Sequence, residues 1–321
     1  MIYAEYLLTA AIVVFFSIKA SDYIDLLDRN TKLSGAFLGG IMLSAVTSLP
    51  ELFTSISATV LLDRPGLCMG NILGSDLFNV AALSTVILFW FRGFSKGRVS
   101  RSYRHVTILV LAIYLLIGLN FLEILNLRVL HLSITSVLIF VVYALGAKYL
   151  AVANDVDADE DALGYQATKS TRLSVKQIGF RFFLVSIGII VFSVMMTYLT
   201  DEISVRLGIG QGFAGALFLG IATSLPELSS TIALFKMKNY NIAVGNIVGS
   251  NLFNFIILTV ADLLSMSSGV YVNPDAQVVH LLVLGAAAMA LFWILLRFRN
   301  RTTQLVCCLG VIACYIGFLL I

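Results

Sequence analysis

The pentapeptide Thr-Ser-Leu-Pro-Glu occurs at residues 47–51 and again at 223–227, each time inside a long apolar run. A carboxylate in hydrocarbon costs about 2.5–3.5 kcal/mol even on the mildest insertion scale, so Glu51 and Glu227 require a chemical reason. On a helix, Thr47 lies four residues before Glu51 and Ser48 three before it, so the three share a face. Thr223, Ser224 and Glu227 repeat the arrangement. Pro50 has no N–H for the carbonyl of Val46, and Pro226 has none for that of Ala222, so each proline is expected to open its helix. Broken backbone at membrane depth is tolerated where it lines a cavity or is buried in protein. The product is a cluster of hydroxyl, carboxylate and carbonyl oxygens.

A second pair of motifs follows each pentapeptide. "GNILGSDLFN" (70–79) matches "GNIVGSNLFN" (245–254). On a helix Asn71, Ser75 and Asn79 form one polar stripe, as do Asn246, Ser250 and Asn254. Gly70 with Gly74, and Gly245 with Gly249, are G-x-x-x-G pairs that let helices approach closely. Two carboxylates among many neutral oxygens suit hard cations, and Ca²⁺ takes 6–8 oxygens at about 2.3–2.6 Å. Zinc or copper would call for imidazole or thiolate, and neither occurs within these motifs.

The elements that must position these residues are membrane helices. Of the 321 residues 59% are hydrophobic and 12% charged, and the mean hydropathy is +0.97. Soluble domains carry about 25% charged residues. The composition points to an all-α polytopic membrane protein embedded in the lipid bilayer. A net charge of +3 makes nucleic acid an improbable partner. Cys68, Cys307, Cys308 and Cys314 form no C-x-x-C pair and read as small apolar side chains. The first apolar run lacks a basic n-region and a cleavage site, which favours a retained helix. No G-x-x-x-x-G-K-[ST] stretch is present, which argues against an ATP-driven pump.

Ten apolar segments have the length of a span: about 3–19, 34–62, 67–91, 105–123, 128–150, 178–199, 208–235, 241–265, 278–297 and 303–320. Of the 21 Lys and Arg, 18 fall in alternate connections, leaving only Arg64, Arg128 and Arg206 in the others. By the positive-inside rule both termini lie outside the cytoplasm of a multi-pass protein of the cell membrane. The hydrophilic stretch 151–177 is then a cytoplasmic connecting loop. It divides the chain into two five-helix repeats, 1–150 and 178–321. Because five is odd, the repeats must be inverted relative to each other.

A shift of 176 superposes the pentapeptides and also Asp25 on Asp201, while the second motifs superpose at 175. The identity is concentrated at 34–90 and 208–265, where the polar residues are, and this argues for a shared site.

These residues resemble the cation/calcium exchanger superfamily, in which G-T-S-x-P-E on one helix and G-N-x-x-G-S-x-x-x-[ND] on the next occur twice. The chain is similar to its prokaryote-like sodium/calcium exchangers. The resemblance implies a secondary active antiporter exchanging Ca²⁺ for Na⁺ by alternating access, with no cofactor and no enzymatic activity, and with a monomer sufficient. The first and sixth segments would slide across the second, third, seventh and eighth. The implied ligands are Thr47, Ser48, Glu51, Ser75 and Asn79 with Thr223, Ser224, Glu227, Ser250 and Asn254, together with carbonyls near Ser44 and Gly220.

Val46 and Ala222 replace the family's glycine before Thr-Ser. Positions 79 and 254 are both Asn, where many sodium/calcium exchangers have Asp at the second and potassium-dependent ones at both. The two glutamates then give a charge of −2, balanced by one Ca²⁺, two Na⁺ or two H⁺. A third Na⁺ would be unfavourable in low dielectric. Exchange of Ca²⁺ for H⁺, and K⁺-dependent Na⁺/Ca²⁺ exchange, are therefore alternatives, and a cation channel is the alternative from another class. Asp76 points about 100° from the ligand stripe of a single helix, as one residue's turn requires.

Plainer roles compete with these. A buried hydroxyl usually bonds a carbonyl, and the glycines can serve packing alone. No Lys or Arg lies within the motif helices to form a buried salt bridge with either glutamate. "NDVDADEDALGY" has the look of a calcium loop. An EF-hand begun at Asp155 would need Gly and Glu where Glu160 and Gln166 stand, so the segment reads as a solvated acidic loop. His105, His131 and His280 read as interfacial or structural. Asp25 and Asp201 read as solvated helix ends or an ion entrance.

Overall fold

The computed structural model describes residues 1–30, 43–129, 132–161, 174–265, 269–271, 274–298 and 300–321. In the first half run α1 (Ile2–Asn30), α2 (Leu43–Thr47), α3 (Leu49–Ile56) with a π-helical turn at Ser57–Leu61, α4 (Pro65–Phe89), α5 (Phe91–Phe94), α6 (Ser102–Phe121), β1 (Arg128–Val129), β2 (Leu132–Ser133) and α7 (Ile134–Asp161). In the second run α8 (Val175–Leu207), α9 (Gln211–Ala214), a π-helical turn at Gly215–Gly220, α10 (Ile221–Lys236), α11 (Tyr240–Leu264), α12 (Ala276–Arg297) and α13 (Arg301–Leu320). Among the described residues eight helices are long and apolar enough to cross a membrane, and two shorter apolar helices span Leu49–Leu61 and Ile134–Leu150. These ten fall on the ten apolar segments of the sequence. The architecture is an all-α polytopic membrane fold.

Three boundaries differ from the sequence expectation. The segment at 128–150 opens with an antiparallel hairpin that pairs Arg128 with Ser133 and Val129 with Leu132, and the helix starts at Ile134. The buried carboxylate of Asp262 holds this corner, accepting from the Ser133 N–H at 2.9 Å and the Ser136 hydroxyl at 2.8 Å. The connection at 151–177 is not loop throughout, because α7 continues helical to Asp161. Its first residues, "AVAN", contain no helix breaker. At the other end Ser174 starts α8 with a capping box: its hydroxyl accepts from the Gln177 N–H at 3.3 Å, and the Gln177 side chain accepts from the Ser174 N–H at 3.0 Å. Residues 34–42, the start of the second apolar segment, lie outside the described residues, as do His131 and the side chains of Asp25 and the acidic run 155–161.

The layering is set by where the polar motifs must go. In α4 and α11, 72% of the apolar stretch is buried, against 22% in α8. The two helices that carry the Asn and Ser stripes are thus the centre of the bundle. α1 and α8 pack chiefly on each other at the side of the bundle. α8 presents Phe180, Phe183, Leu184 and Val191 outward, as a lipid-facing helix does. With 33 residues it is about 50 Å long at 1.5 Å per residue, well beyond the ~30 Å hydrocarbon core. It therefore tilts or projects.

Small residues permit the crossing that joins the two halves. α4 runs against α9 and the π-helical turn at Gly215–Gly220. A β-carbon at Gly70 would fall on the Gly212 carbonyl, and one at Gly74 would lie 2.5 Å from the Ala216 Cα. One at Gly220 would lie 2.9 Å from the Ser75 amide nitrogen. The second glycine pair does different work, since Gly245 makes room for the ring and hydroxyl of Tyr103 and not for backbone.

Gly74→Ala is therefore expected to destabilise the protein by about 1–3 kcal/mol through overpacking. Gly179→Ala in α8, where an added β-carbon meets nothing within 4 Å, should be neutral or stabilising by up to about 1 kcal/mol. Thermal unfolding of the two purified variants in detergent checks this, and a Gly74→Ala variant as stable as the parent would refute the close crossing.

Candidate cation-binding site

The two prolines act differently. Ahead of Pro50 the helix is interrupted at Ser48 (φ −88°, ψ 13°), separating α2 from α3. Pro226 lies inside a continuous α10, and the irregularity of the second repeat is the preceding π-helical turn. The expectation of two opened helices is thus met by a break in one copy alone. In the other the helix runs on through Pro226, which removes only the hydrogen bond to Ala222.

These helices bring Glu51 and Glu227 together, each 0% exposed. The contact is reciprocal. The Ser48 hydroxyl donates to Glu227 Oε1 at 3.4 Å, and the Ser224 hydroxyl donates to Glu51 Oε1 at 3.3 Å. The second oxygen of each carboxylate has no hydrogen-bond partner. The two carboxylates are close enough to repel each other, and among the described residues no basic side chain pairs with either. Thr223 lies beside Glu51, and Thr47 and Ser250 lie beside Glu227. Thr47 donates to the Ser44 carbonyl at 3.1 Å, and Thr223 to that of Leu219 at 2.9 Å. Ser75 donates to the Gly220 carbonyl at 3.2 Å, while its counterpart Ser250 makes no hydrogen bond.

The polar stripes divide by role. Asn71 is a brace, donating to Thr54 and Ser55 hydroxyls, both at 2.9 Å, and to the Glu51 carbonyl at 3.3 Å, which ties α4 to α3. Asn246 donates to the Ser230 hydroxyl at 3.0 Å in the matching place. Asn79 and Asn254 are bonded across the boundary between repeats. Asn79 Nδ2 donates to Asn251 Oδ1 at 3.0 Å, and Asn254 Nδ2 donates to Asp76 Oδ1 at 2.9 Å. Their own Oδ1 atoms have no hydrogen-bond partner.

All ten residues singled out from the sequence are at most 1% exposed. Two are the paired carboxylates; Thr47, Ser48, Thr223, Ser224 and Ser250 lie beside them, Ser75 bonds the Gly220 carbonyl, and the two asparagines are held at the contact between α4 and α11. Sequence reasoning placed Asp76 off the ligand stripe and did not weigh Asn251. The signal was the only polar difference between the second motifs, Asp in one and Asn in the other. A direction 100° off the stripe of one helix faces the partner helix when two such helices cross.

Chemically the set is made of oxygens. Buried acceptors without donors cost about 1–3 kcal/mol each, and Glu51 Oε2, Glu227 Oε2, Asn79 Oδ1, Asn254 Oδ1 and Ser250 Oγ are all of this kind. Oxygens of this kind are the ligands that hard cations take. Among the described residues no cluster of three His, Cys, Asp or Glu offers a transition-metal site.

A bundle of inverted apolar repeats closed around paired carboxylates is the architecture of a membrane ion exchanger, a transporter and not an enzyme. Residues 3–149 and 178–321 match the family described as sodium/calcium exchanger protein, and the chain belongs to that family. It is 27% identical over 238 residues to the inner membrane protein YrbG of Escherichia coli, covering 73% of this chain and 70% of that one. It is 32% identical over 76 residues to sodium/potassium/calcium exchanger 4 of Mus musculus, covering 24% of this chain and 12% of that one. Its fold is similar to that of the H⁺/Ca²⁺ exchanger CAX, with a TM-score of 0.67 and 15% identity over 99% of this chain and 87% of the other. It is also similar to the sodium-calcium exchanger NCX_Mj, with a TM-score of 0.59 and 18% identity over 98% and 97%.

Glu51→Gln and Glu227→Gln are each expected to abolish Ca²⁺ binding while leaving a monodisperse, folded protein. Equilibrium dialysis of purified protein against radiolabelled Ca²⁺ measures this. Binding at parental affinity in either variant would rule out a shared site.

Proposed function

We infer that this protein is a secondary active antiporter that exchanges Ca²⁺ for Na⁺ across the cell membrane by alternating access. The observation that carries the reading is the reciprocal pair Ser48–Glu227 and Ser224–Glu51, buried from water without a basic partner among the described residues. The proposed shell comprises Thr47, Ser48, Glu51, Ser75 and Asn79 with Thr223, Ser224, Glu227, Ser250 and Asn254. The charge of the glutamate pair matches one Ca²⁺ or two monovalent ions, so that one can displace the other without leaving net charge in low dielectric.

The peripheral packing of α1 on α8 supports a moving unit of these two helices against a core built on α4 and α11. Arg64 Nε donates to Asp201 Oδ1 at 3.1 Å and joins α8 to the start of α4. With the termini extracytoplasmic, as the distribution of Lys and Arg implies, this contact closes the outer side.

A Ca²⁺/H⁺ exchanger is the second reading. It is favoured by the amides at positions 79 and 254, which add no charge of their own to that of the two glutamates. Solved relatives of this fold include exchangers named for each counter-ion.

Uptake of radiolabelled Ca²⁺ into proteoliposomes decides the matter, with an outward gradient of Na⁺, of H⁺, of K⁺ or of none imposed in turn. Uptake driven by the Na⁺ gradient is expected. Uptake driven by the H⁺ gradient alone would establish the second reading, and equal uptake with no gradient would identify a channel and overturn both.

A further inference from the structure

The amides of Asn79 and Asn254 present a problem of direction. A carboxamide has an oxygen at one end and an NH₂ of nearly the same shape at the other. Only the oxygen can hold a cation. Each side chain is at most 1% exposed, so water does not orient it. Something in the protein must select the end that faces the ion.

The bonds around Asp76 make that selection. Its main-chain carbonyl accepts from Asn251 Nδ2 at 3.0 Å. A carbonyl only accepts, so the Asn251 oxygen is turned the other way, toward Asn79. Asn79 answers that oxygen with its Nδ2 at 3.0 Å. An ionised Asp76 carboxylate likewise only accepts, and Asn254 meets its Oδ1 with Nδ2 at 2.9 Å. One residue, through two acceptors, therefore determines the direction of both amides. Their oxygens are left without protein partners, as cation ligands must be. Asp76 and Asn251 occupy matching places in the two repeats, yet they are not interchangeable. An amide at position 76 could offer either end to Asn254 and would leave its direction unset.

We propose that Asp76 is the positioning residue that aims the carboxamide oxygens of Asn79 and Asn254 at the transported cation and so sets the affinity of the site. This rests on the reading of the ten residues above as a cation shell. Groups that orient metal ligands from behind typically contribute 10–100-fold to metal affinity.

The test compares the parent with Asp76→Asn, Asn254→Asp and the double variant D76N/N254D, and carries Glu51→Gln alongside. The assays are radiolabelled Ca²⁺ binding to the purified protein and Ca²⁺ transport in proteoliposomes. Asp76→Asn keeps the main-chain carbonyl that aims Asn79 but leaves the Asn254 amide unset, and is expected to raise the half-saturating Ca²⁺ concentration by about 10–100-fold while the maximal rate changes much less. Asn254→Asp alone places two carboxylates side by side, without a bridging proton donor, and should be at least as impaired. The double variant restores a donor–acceptor pair, and a carboxylate at position 254 has no wrong end. Its affinity should return to within a few-fold of the parent. An unchanged half-saturation in Asp76→Asn would overturn the proposal, as would a double variant no better than the single ones. Loss of folded protein in both Asp76→Asn and the double variant would do so too, since it would make Asp76 a structural brace. If Glu51→Gln loses Ca²⁺ binding while Asp76→Asn retains it, only the positioning role fails. If Glu51→Gln binds as the parent does, the cation shell itself fails.

Discussion

Two carboxylates are held against each other where water does not reach, with no basic side chain among the described residues to neutralise them. Much of the remaining architecture follows from that constraint. Like charges at short range in low dielectric repel strongly, and on the proposed reading the cations or protons that enter the site relieve them. The surrounding hydroxyls and amides are then necessary as well, because each gives a bare ion what its hydration shell gave. The helices that carry these groups must be the most buried of the bundle, which is why α4 and α11 sit at its centre and the lipid-facing α8 lies outside. The glycines of α4 let the Gly212–Gly220 backbone come close enough for the Gly220 carbonyl to reach Ser75.

Much of this was legible in the sequence because the bilayer simplifies the pattern. A span must be apolar over a fixed length, so a polar motif within it is conspicuous, and duplication marks it again. The ten segments, the pairing of Glu51 with Glu227 and the hydroxyls beside them follow from those two facts. What escaped depended on relations between elements. The hairpin at 128–133 is held by Asp262, which is distant in sequence. The unequal behaviour of Pro50 and Pro226, one at a helix break and one inside a continuous helix, is a matter of backbone geometry that no composition rule announces. Asp76 was placed off the ligand stripe because a helical wheel treats one helix alone, and its partner is Asn254 on another.

The repeats are related by sequence but unequal in detail, and the inequality falls in meaningful places. Ser75 is bonded to the Gly220 carbonyl whereas Ser250 lies beside Glu227. One proline interrupts its helix and the other does not. Position 76 is an acid and position 251 an amide. A site with perfect two-fold symmetry would present equal faces to ions from either side. These differences give its two halves distinct chemistry while preserving the shared carboxylate core.

The contact of Arg64 with Asp201 bears on how the molecule holds itself shut. Both partners are partly exposed, with side-chain accessibilities of 43% and 19%. A bridge in such surroundings is worth about 0.2–1 kcal/mol, which biases an equilibrium by no more than roughly fivefold. It is a light clasp. The bridge alone therefore cannot decide when that side of the bundle parts; on the proposed reading occupancy of the interior does, so that the cargo itself holds the key to its own exit.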